Sequence, residues 1–315
     1  MNYTYKAAVI IPTRGGASKL HYPLDALEQQ TETDFQVIVV IDGDIDGSEE
    51  VVQSYRQRGR LNIQCIVFPE NRGRTQALNA GHAAADAAVL IRCDDDLKPG
   101  AVYIEKHIAH HQGSEDVGVI GIYLNQYPHT PYARAYGRYR DAKFREAAYA
   151  APAEQTWRYW AGNVSISAEA YQKIGGYDER YRLYGWEDVD FGYEAYKAGI
   201  CIIVDPELAT EHYIAATTTA DRATRALHSG AARSIFVEKH GKEVLPGHQP
   251  AGIWGGAVRV LAALLNEKRI TILGNLIDSI VDRLPHRISE KLVALTVEAA
   301  GYAGIKYPAK AQKVF

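Results

Sequence analysis

Val89-Leu90-Ile91-Arg92-Cys93-Asp94-Asp95-Asp96-Leu97-Lys98-Pro99 is an apolar run that delivers three consecutive aspartates to a turn. Adjacent carboxylates repel one another in apolar surroundings, so they need water, a cation or basic partners to stay ionised together. A divalent metal meets that need. Oxygen-only, carboxylate-rich ligation suits Mg²⁺ or Mn²⁺, which also bridge to phosphate oxygens. The plainer alternative is a solvated acidic turn that ends a strand, because turns are rich in Asp. The rest of the chain has to decide between them.

Upstream of the aspartates, strand-like and helix-like patterns alternate. Residues 7–12 form a β-branched run ended by Pro12-Thr13-Arg14-Gly15-Gly16. Ser18 offers an N-cap, and Leu20, Leu24 and Leu27 mark a helical stripe. Strand, helix, strand, helix and strand are then expected over 35–41, 48–58, 63–68, 75–86 and 87–92. This is the signature of an α/β domain with a mostly parallel sheet. Ligands of such sheets bind beyond the carboxyl ends of the strands. Pro12, Thr13 and Arg14, then Asp42, then Asn71 to Arg74, and then Asp94 to Asp96 all fall at such ends, so they are expected along one edge. Arginines beside a carboxylate-held metal are suited to a diphosphate.

Downstream, a helix is expected over 100–111 and a strand over 117–124. Periodicity fails from 125 to 155, a stretch rich in Tyr and Arg that reads as an irregular lid. Trp160-Ala161-Gly162-Asn163 leads into another strand, and the small residues there permit close approach of a ligand to the backbone. They suit a bend in a strand equally well. Tyr184-Gly185-Trp186-Glu187-Asp188 opens a helix ending near Gly199. Its acidic start could simply favour the helix dipole, or a carboxylate beside apolar rings could act as a general base. After a strand at 201–204, His212 is either structural or a metal ligand.

Composition narrows the classes. The 315 residues suffice for one large domain with an appendage, or for two domains. A net charge of −3 argues against nucleic acid as a partner. Cys65, Cys93 and Cys201 follow no metal-ligand spacing and read as reduced thiols. The polar start of the chain passes straight into a strand, and no uncharged apolar run reaches the roughly 18 to 20 residues of a membrane span. The expectation is a cytoplasmic protein, with peripheral membrane contact left open.

With these motifs in place, the chain resembles the inverting family 2 glycosyltransferases over about residues 7–213. The resemblance rests on Val9-Ile10-Ile11-Pro12-Thr13, Val39-Val40-Ile41-Asp42-Gly43, and Asn71-Arg72-Gly73 with Ala77, Asn79 and Gly81. It continues through Asp94-Asp95-Asp96 as the DxD motif, Gly175-Gly176-Tyr177-Asp178 and Gly185-Trp186-Glu187-Asp188. It implies the GT-A fold, a Rossmann-like mixed sheet flanked by helices, here spanning residues 1–220 and followed by a helical extension over 221–315. It also implies a nucleoside-diphosphate-sugar donor, UDP-linked in most members, and a hydroxyl acceptor on a glycan, lipid carrier or other molecule. Polysaccharide or glycoconjugate synthesis is the implied setting. Pro12, Thr13 and Arg14 would line the nucleotide pocket, with Asp42 facing the base. Arg72 or Arg74 would approach the diphosphate, with Asn71 also in the nucleotide-sugar site. Asp94 would contact ribose or metal, and either Asp95 or Asp96 would be the principal ligand of Mn²⁺ or Mg²⁺, with His212 completing the set. Trp160, Gly162 and Trp186 would line the nucleotide-sugar site, Asp188 would be the catalytic base and Glu187 would bind or orient the acceptor.

Beyond the match, residues 221–240 have helical spacing with a basic face, and 241–256 form a Pro/Gly-rich linker. Three amphipathic helices follow, marked by Val258, Leu261 and Leu264, by Ile272, Leu276 and Ile280, and by Leu292 and Leu295. Such stripes usually pack on their own protein; self-association and membrane docking are the alternatives. Two other activities compete with sugar transfer. A nucleotidyltransferase making nucleotide sugars would want a glycine-rich phosphate loop after the first strand, for which Gly15-Gly16 is a poor substitute. A non-catalytic nucleotide-sugar-binding protein would not need the charged residues retained here.

Overall fold

The computed structural model describes residues 3–113, 115–245 and 250–312. Its strands are β1 (Tyr5–Thr13), β2 (Phe35–Ile41), β3 (Ile63–Val67), β4 (Ala87–Cys93), β5 (Leu97–Lys98), β6 (Val117–Ile120), β7 (Tyr123–Asn125), β8 (Asn163–Ser167), β9 (Cys201–Val204) and β10 (Thr210–His212). The α-helices are α1 (His21–Leu27), α2 (Ser48–Arg58), α3 (Arg74–Ala83), α4 (Tyr103–His110), α5 (Arg138–Tyr149), α6 (Ala168–Ile174), α7 (Glu187–Lys197), α8 (Thr219–His240), α9 (Gly252–Leu264), α10 (Glu267–Ile280) and α11 (His286–Lys306).

Contacts group the chain into two compact units. The first comprises residues up to Leu124 together with Arg145–Glu179 and Glu187–Tyr213. Its main sheet runs β3-β2-β1-β4-β8-β6-β9. The β1, β2, β3 and β4 strands are mutually parallel, β8 is antiparallel to both β4 and β6, and β9 pairs parallel with β6. Residues of β1 and β2 are buried on both faces, which explains their unbroken aliphatic sequence. Val9, Ile11, Val37, Val39, Ile91 and Cys93 belong to one continuous apolar cluster. A second small sheet, β5-β10-β7, begins directly after the aspartates.

The second unit contains Asn125–Phe144, Arg180–Trp186 and the chain from Ile214 onward. Its core is formed by Tyr132, Tyr136, Leu227, Val258, Ile270, Val293 and their neighbours. Residues 125–144, 180–186 and 214–220, all from within residues 1–220, thus cluster with the C-terminal helices. No helix among the described residues is long and apolar enough to cross a membrane.

Several expected elements differ. Leu20, not Ser18, precedes α1, and no side chain caps it. The strand expected over 117–124 is interrupted after Ile120, so β7 joins the small sheet. The stretch 125–155 is not irregular: a π-helical turn over Ala133–Gly137 runs into α5. Its periodicity is hidden because the buried positions are Tyr132, Ala135 and Tyr136, residues that read as polar or neutral in sequence. The linker expected over 241–256 lies partly outside the described residues, and its last part is α9.

Candidate active site

The parallel register brings the strand ends to one edge. Thr13 lies opposite Ile41, and Ile41 opposite Val67. Asp42 N–H donates to Thr13 O at 2.8 Å and Phe68 N–H to Ile41 O at 2.9 Å, so the ladder continues into the loops. Asp42 is buried, and its two carboxylate oxygens accept the backbone N–H groups of Arg72 (2.6 Å) and Gly73 (2.9 Å). It therefore fixes the loop that opens α3. Arg14 donates to Asp42 O at 2.7 Å. Pro12 is buried within β1. The exposed guanidinium of Arg72 lies over Phe68 at 4.8 Å, and the half-buried Asn71 has a carboxamide oxygen without a partner among the described residues.

The three aspartates divide the work by partner. Asp94 continues the strand on the face of Arg92, since alternate strand residues share a face. Arg92 Nε lies 2.9 Å from Asp94 Oδ1 and its Nη2 3.4 Å from Oδ2. Burial alone would raise the Asp94 carboxyl, yet Arg92 and Arg74 hold it below the usual carboxylate range. Asp95 turns away, accepting from Thr13 Oγ1 at 2.5 Å and pairing with Lys19 Nζ at 2.7 Å. Burial, against the pull of Lys19 and with added repulsion from Asp96, pushes Asp95 up to about 6. Asp96 Oδ2 sits 3.1 Å from His212 Nε2.

His212 arrives through the small sheet, where it lies opposite Leu97 while Tyr213 N–H donates to Asp96 O at 3.0 Å. Its ring stacks on Tyr123, whose hydroxyl accepts from Gly162 N–H at 2.7 Å. The buried Asn163 amide ties β8 to this sheet by donating to Leu208 O (2.9 Å) and Thr210 Oγ1 (3.0 Å). Asp94 N–H donates to Gly162 O at 2.9 Å, and a side chain at Gly162 would collide with the Asp94 carboxylate. Glycine is required there by close approach, not by its dihedral freedom.

Glu187 and Asp188 open α7, which is seated by Phe191 and Gly192. Phe191 stacks on Tyr177 at 4.4 Å, and a Cβ on Gly192 would lie 2.8 Å from the Trp160 Cβ. The seated helix brings Asp188 into an ion pair with Arg92 Nη1. Burial first, and repulsion from Asp94 second, push the Asp188 carboxyl up against the opposing pull of Arg92. Glu187 is buried, lies 3.6 Å from Arg74 Nη1 through Oε1, and leaves Oε2 without a partner among the described residues. Burial, then repulsion from Asp188, pushes Glu187 up to about 7. Carboxyls displaced from their ordinary range in a polar cleft are typical of acid–base sites.

Two expected lining residues have packing partners of their own. The Trp160 ring is buried against Phe191 with its Nε1 donating to Tyr177 Oη at 3.3 Å, so it supports α7 and its ring is not offered to a ligand. Trp186 belongs to the second unit, where its ring lies 5.2 Å from Phe236. It is the one non-glycine residue with positive φ among the described residues, at 76°. Such strain costs of order 1–3 kcal/mol and concentrates at functional sites. Here it immediately precedes the Glu187-Asp188 pair.

Arg92, Lys19 and Tyr123 were not expected in the site. Only Arg92 carried a sequence signal, a lone charge inside an apolar strand. Asn79, by contrast, holds the glycine motif from outside the site: it accepts from Tyr177 N–H at 2.8 Å and donates to Tyr177 O at 2.9 Å.

Asp96 and His212 present an oxygen and an imidazole nitrogen side by side, a donor set compatible with a divalent ion. The ligand atoms of Asp94, Asp96 and His212 do not all gather within 4.8 Å of one another.

A parallel sheet continued by antiparallel strands, with a carboxylate turn at its switch point, defines the GT-A glycosyltransferase class. A mannosyltransferase from Pyrobaculum calidifontis, solved with GDP-Man and Mn²⁺, aligns over 98% of this chain and 88% of its own with a TM-score of 0.67 at 18% identity. Staphylococcus aureus TarS residues 1–349, also solved with UDP, aligns over 95% of this chain and 92% of its own with a TM-score of 0.53 at 16% identity. Residues 8–175, more than half of the chain, match the sequence profile of glycosyl transferase family 2, and residues 143–216 match that of the N-terminal domain of galactosyltransferase. The chain belongs to glycosyl transferase family 2. It is 29% identical over 228 residues to validoxylamine A glucosyltransferase of Streptomyces hygroscopicus subsp. jinggangensis, covering 64% of this chain and 53% of that protein. It is 25% identical over 230 residues to chondroitin synthase of Pasteurella multocida, covering 63% and 24%. The chain thus spans about half or less of the length of these relatives.

Proposed function

We propose that this chain transfers a sugar from a nucleoside-diphosphate donor to an acceptor hydroxyl with inversion at the anomeric carbon. The observation that carries the reading is the direct bridge, through Arg92, between Asp94 at the end of β4 and Asp188 at the start of α7. It puts the Asp188 carboxylate, the proton acceptor of this reading, beside the turn that would hold the diphosphate. Thr13, Arg14 and the loop held by Asp42 would take the nucleoside, and Arg72 and Arg74 the phosphates. Asp96 and His212, with Asp94 in the same turn, would hold Mn²⁺ or Mg²⁺, which when bound neutralises charge on the departing nucleoside diphosphate. Asp188 removes the acceptor proton as the hydroxyl attacks the anomeric carbon. Glu187, with a carboxyl pushed up to about 7, can donate a hydrogen bond and orient the acceptor. Asp95 is committed to Thr13 and Lys19 and shapes the turn.

The similar proteins were solved with different nucleotide sugars, GDP-Man for one and UDP-GlcNAc for another, so the nucleotide is best found by trial. The test is release of nucleoside diphosphate from a panel of UDP-, GDP- and dTDP-sugars with Mn²⁺, Mg²⁺ or EDTA. Metal-dependent diphosphate release supports the reading. Pyrophosphate release would favour a nucleotidyltransferase, and binding without turnover a non-catalytic protein.

The helical unit supports a further expectation about surroundings. Ile253, Val260 and Leu264 of α9 are exposed, and the charged residues on and around that helix are Arg259, Lys268 and Arg269 against Glu267 and Glu298. An apolar row whose neighbouring charges are basic by a small excess suits an anionic bilayer surface, where a lipid-linked acceptor would reside.

A further inference from the structure

Arg92 has a fully buried side chain inside β4. Burying a guanidinium is costly unless its partners are close and numerous. Here two carboxylates from distant parts of the chain meet it. Its Nε and Nη2 edge faces both oxygens of Asp94, at 2.9 and 3.4 Å, while Nη1 takes Asp188 Oδ1. The Tyr177 ring, 5.8 Å from the guanidinium carbon, closes off another side. Among the described residues, Asp188 Oδ2 has no hydrogen-bond partner, so one oxygen is held and the other left to work.

We propose that Arg92 is a positioning residue for sugar transfer, which fixes the Asp188 carboxylate by one oxygen and locks it in register with the donor-side Asp94. This rests on the glycosyltransferase reading above. The planar fork is the reason for arginine: its donors lie on two edges in fixed directions, whereas a lysine ammonium is a point charge on a flexible stem. A lysine at position 92 keeps the charge beside Asp94, two residues on in the same strand, but cannot at the same time hold Asp188 in that geometry. A misplacement of about 1 Å in a reacting group can cost on the order of 10²-fold in rate.

The experiment compares Arg92→Lys and Arg92→Gln with the wild-type chain, using whichever donor the wild type turns over. It measures kcat and donor KM, titrates the matching nucleoside diphosphate with Mn²⁺ by calorimetry, and monitors folding by thermal melts. The expected result is a kcat lowered about 10²-fold in folded Arg92→Lys, with donor KM and nucleotide affinity within about 3-fold of wild type. A folded variant with wild-type kcat overturns the proposal. So does a loss confined to KM and nucleotide affinity, which would make Arg92 a donor-binding group alone. If Arg92→Lys does not fold, Arg92→Gln decides by the same criteria. Absence of turnover in the wild type would instead count against the glycosyltransferase reading itself.

Discussion

At the scale of single residues, the three aspartates that look equivalent in sequence have three different partners: Arg92, Thr13 with Lys19, and His212. Their existence was legible; their division was not, because Thr13 and Lys19 come from a distant part of the chain. Replacing Asp188 by Asn should lower kcat by about 10²- to 10⁴-fold, the usual contribution of a general base, while nucleotide affinity stays within about 3-fold. Calorimetry beside an activity assay checks this, and an active variant would remove Asp188 from the role. Glu187 supplies a pH signature. Its ordinary value is 4.5, and burial first, then Asp188, pushes it up to about 7. An acid held protonated by the fold disfavours folding once the unfolded chain can ionise. Its contribution is therefore present below about pH 4.5 and lost as pH rises towards 7. In urea titrations across that window the wild type should lose stability relative to Glu187→Gln. Parallel curves would show that Glu187 ionises as readily folded as unfolded.

At the scale of elements, β2, α2 and β9 occupy the ranges read from their hydrophobic patterns. Patterning suffices there because their burial is simple. It failed ahead of α5, where Tyr132 and Tyr136 take buried positions at the π-helical turn, and at α1, where no side-chain cap marks the start. Close backbone approaches are equally invisible in sequence. Gly162→Ala should leave the fold intact but displace Asp94, so nucleotide binding with Mn²⁺ should fall by at least about 10-fold. Wild-type binding would show that the turn can give way. In the helical unit, a Cβ on Gly304 of α11 would lie 2.8 Å from Ala231 N of α8, and would collide with Leu227 O. Such overpacking typically costs about 1–3 kcal/mol, so Gly304→Ala should lower the urea midpoint of that unit measurably.

At the scale of the whole molecule, the exposed row on α9 predicts a measurable association. The full chain should float with liposomes containing anionic lipid more than with neutral ones. Ile253→Gln, Val260→Gln and Leu264→Gln together should reduce flotation without lowering the melting temperature, because these side chains are exposed. Equal behaviour of the two proteins would leave the row without a role at the bilayer.

The sequence by itself determined the family, the alternation of strands and helices, and the arrival of charged motifs at one edge of a sheet. These follow from local periodicity and from the rule that parallel strands end on the same side. Only the tertiary structure decided what each charge does. Asp42 and Asn79 became supports, Trp160 entered the core, and Arg92 emerged as the link between Asp94 and Asp188. The reason is physical: the role of a buried charge is set by the few ångströms around it, and those neighbours are supplied by elements far apart along the chain.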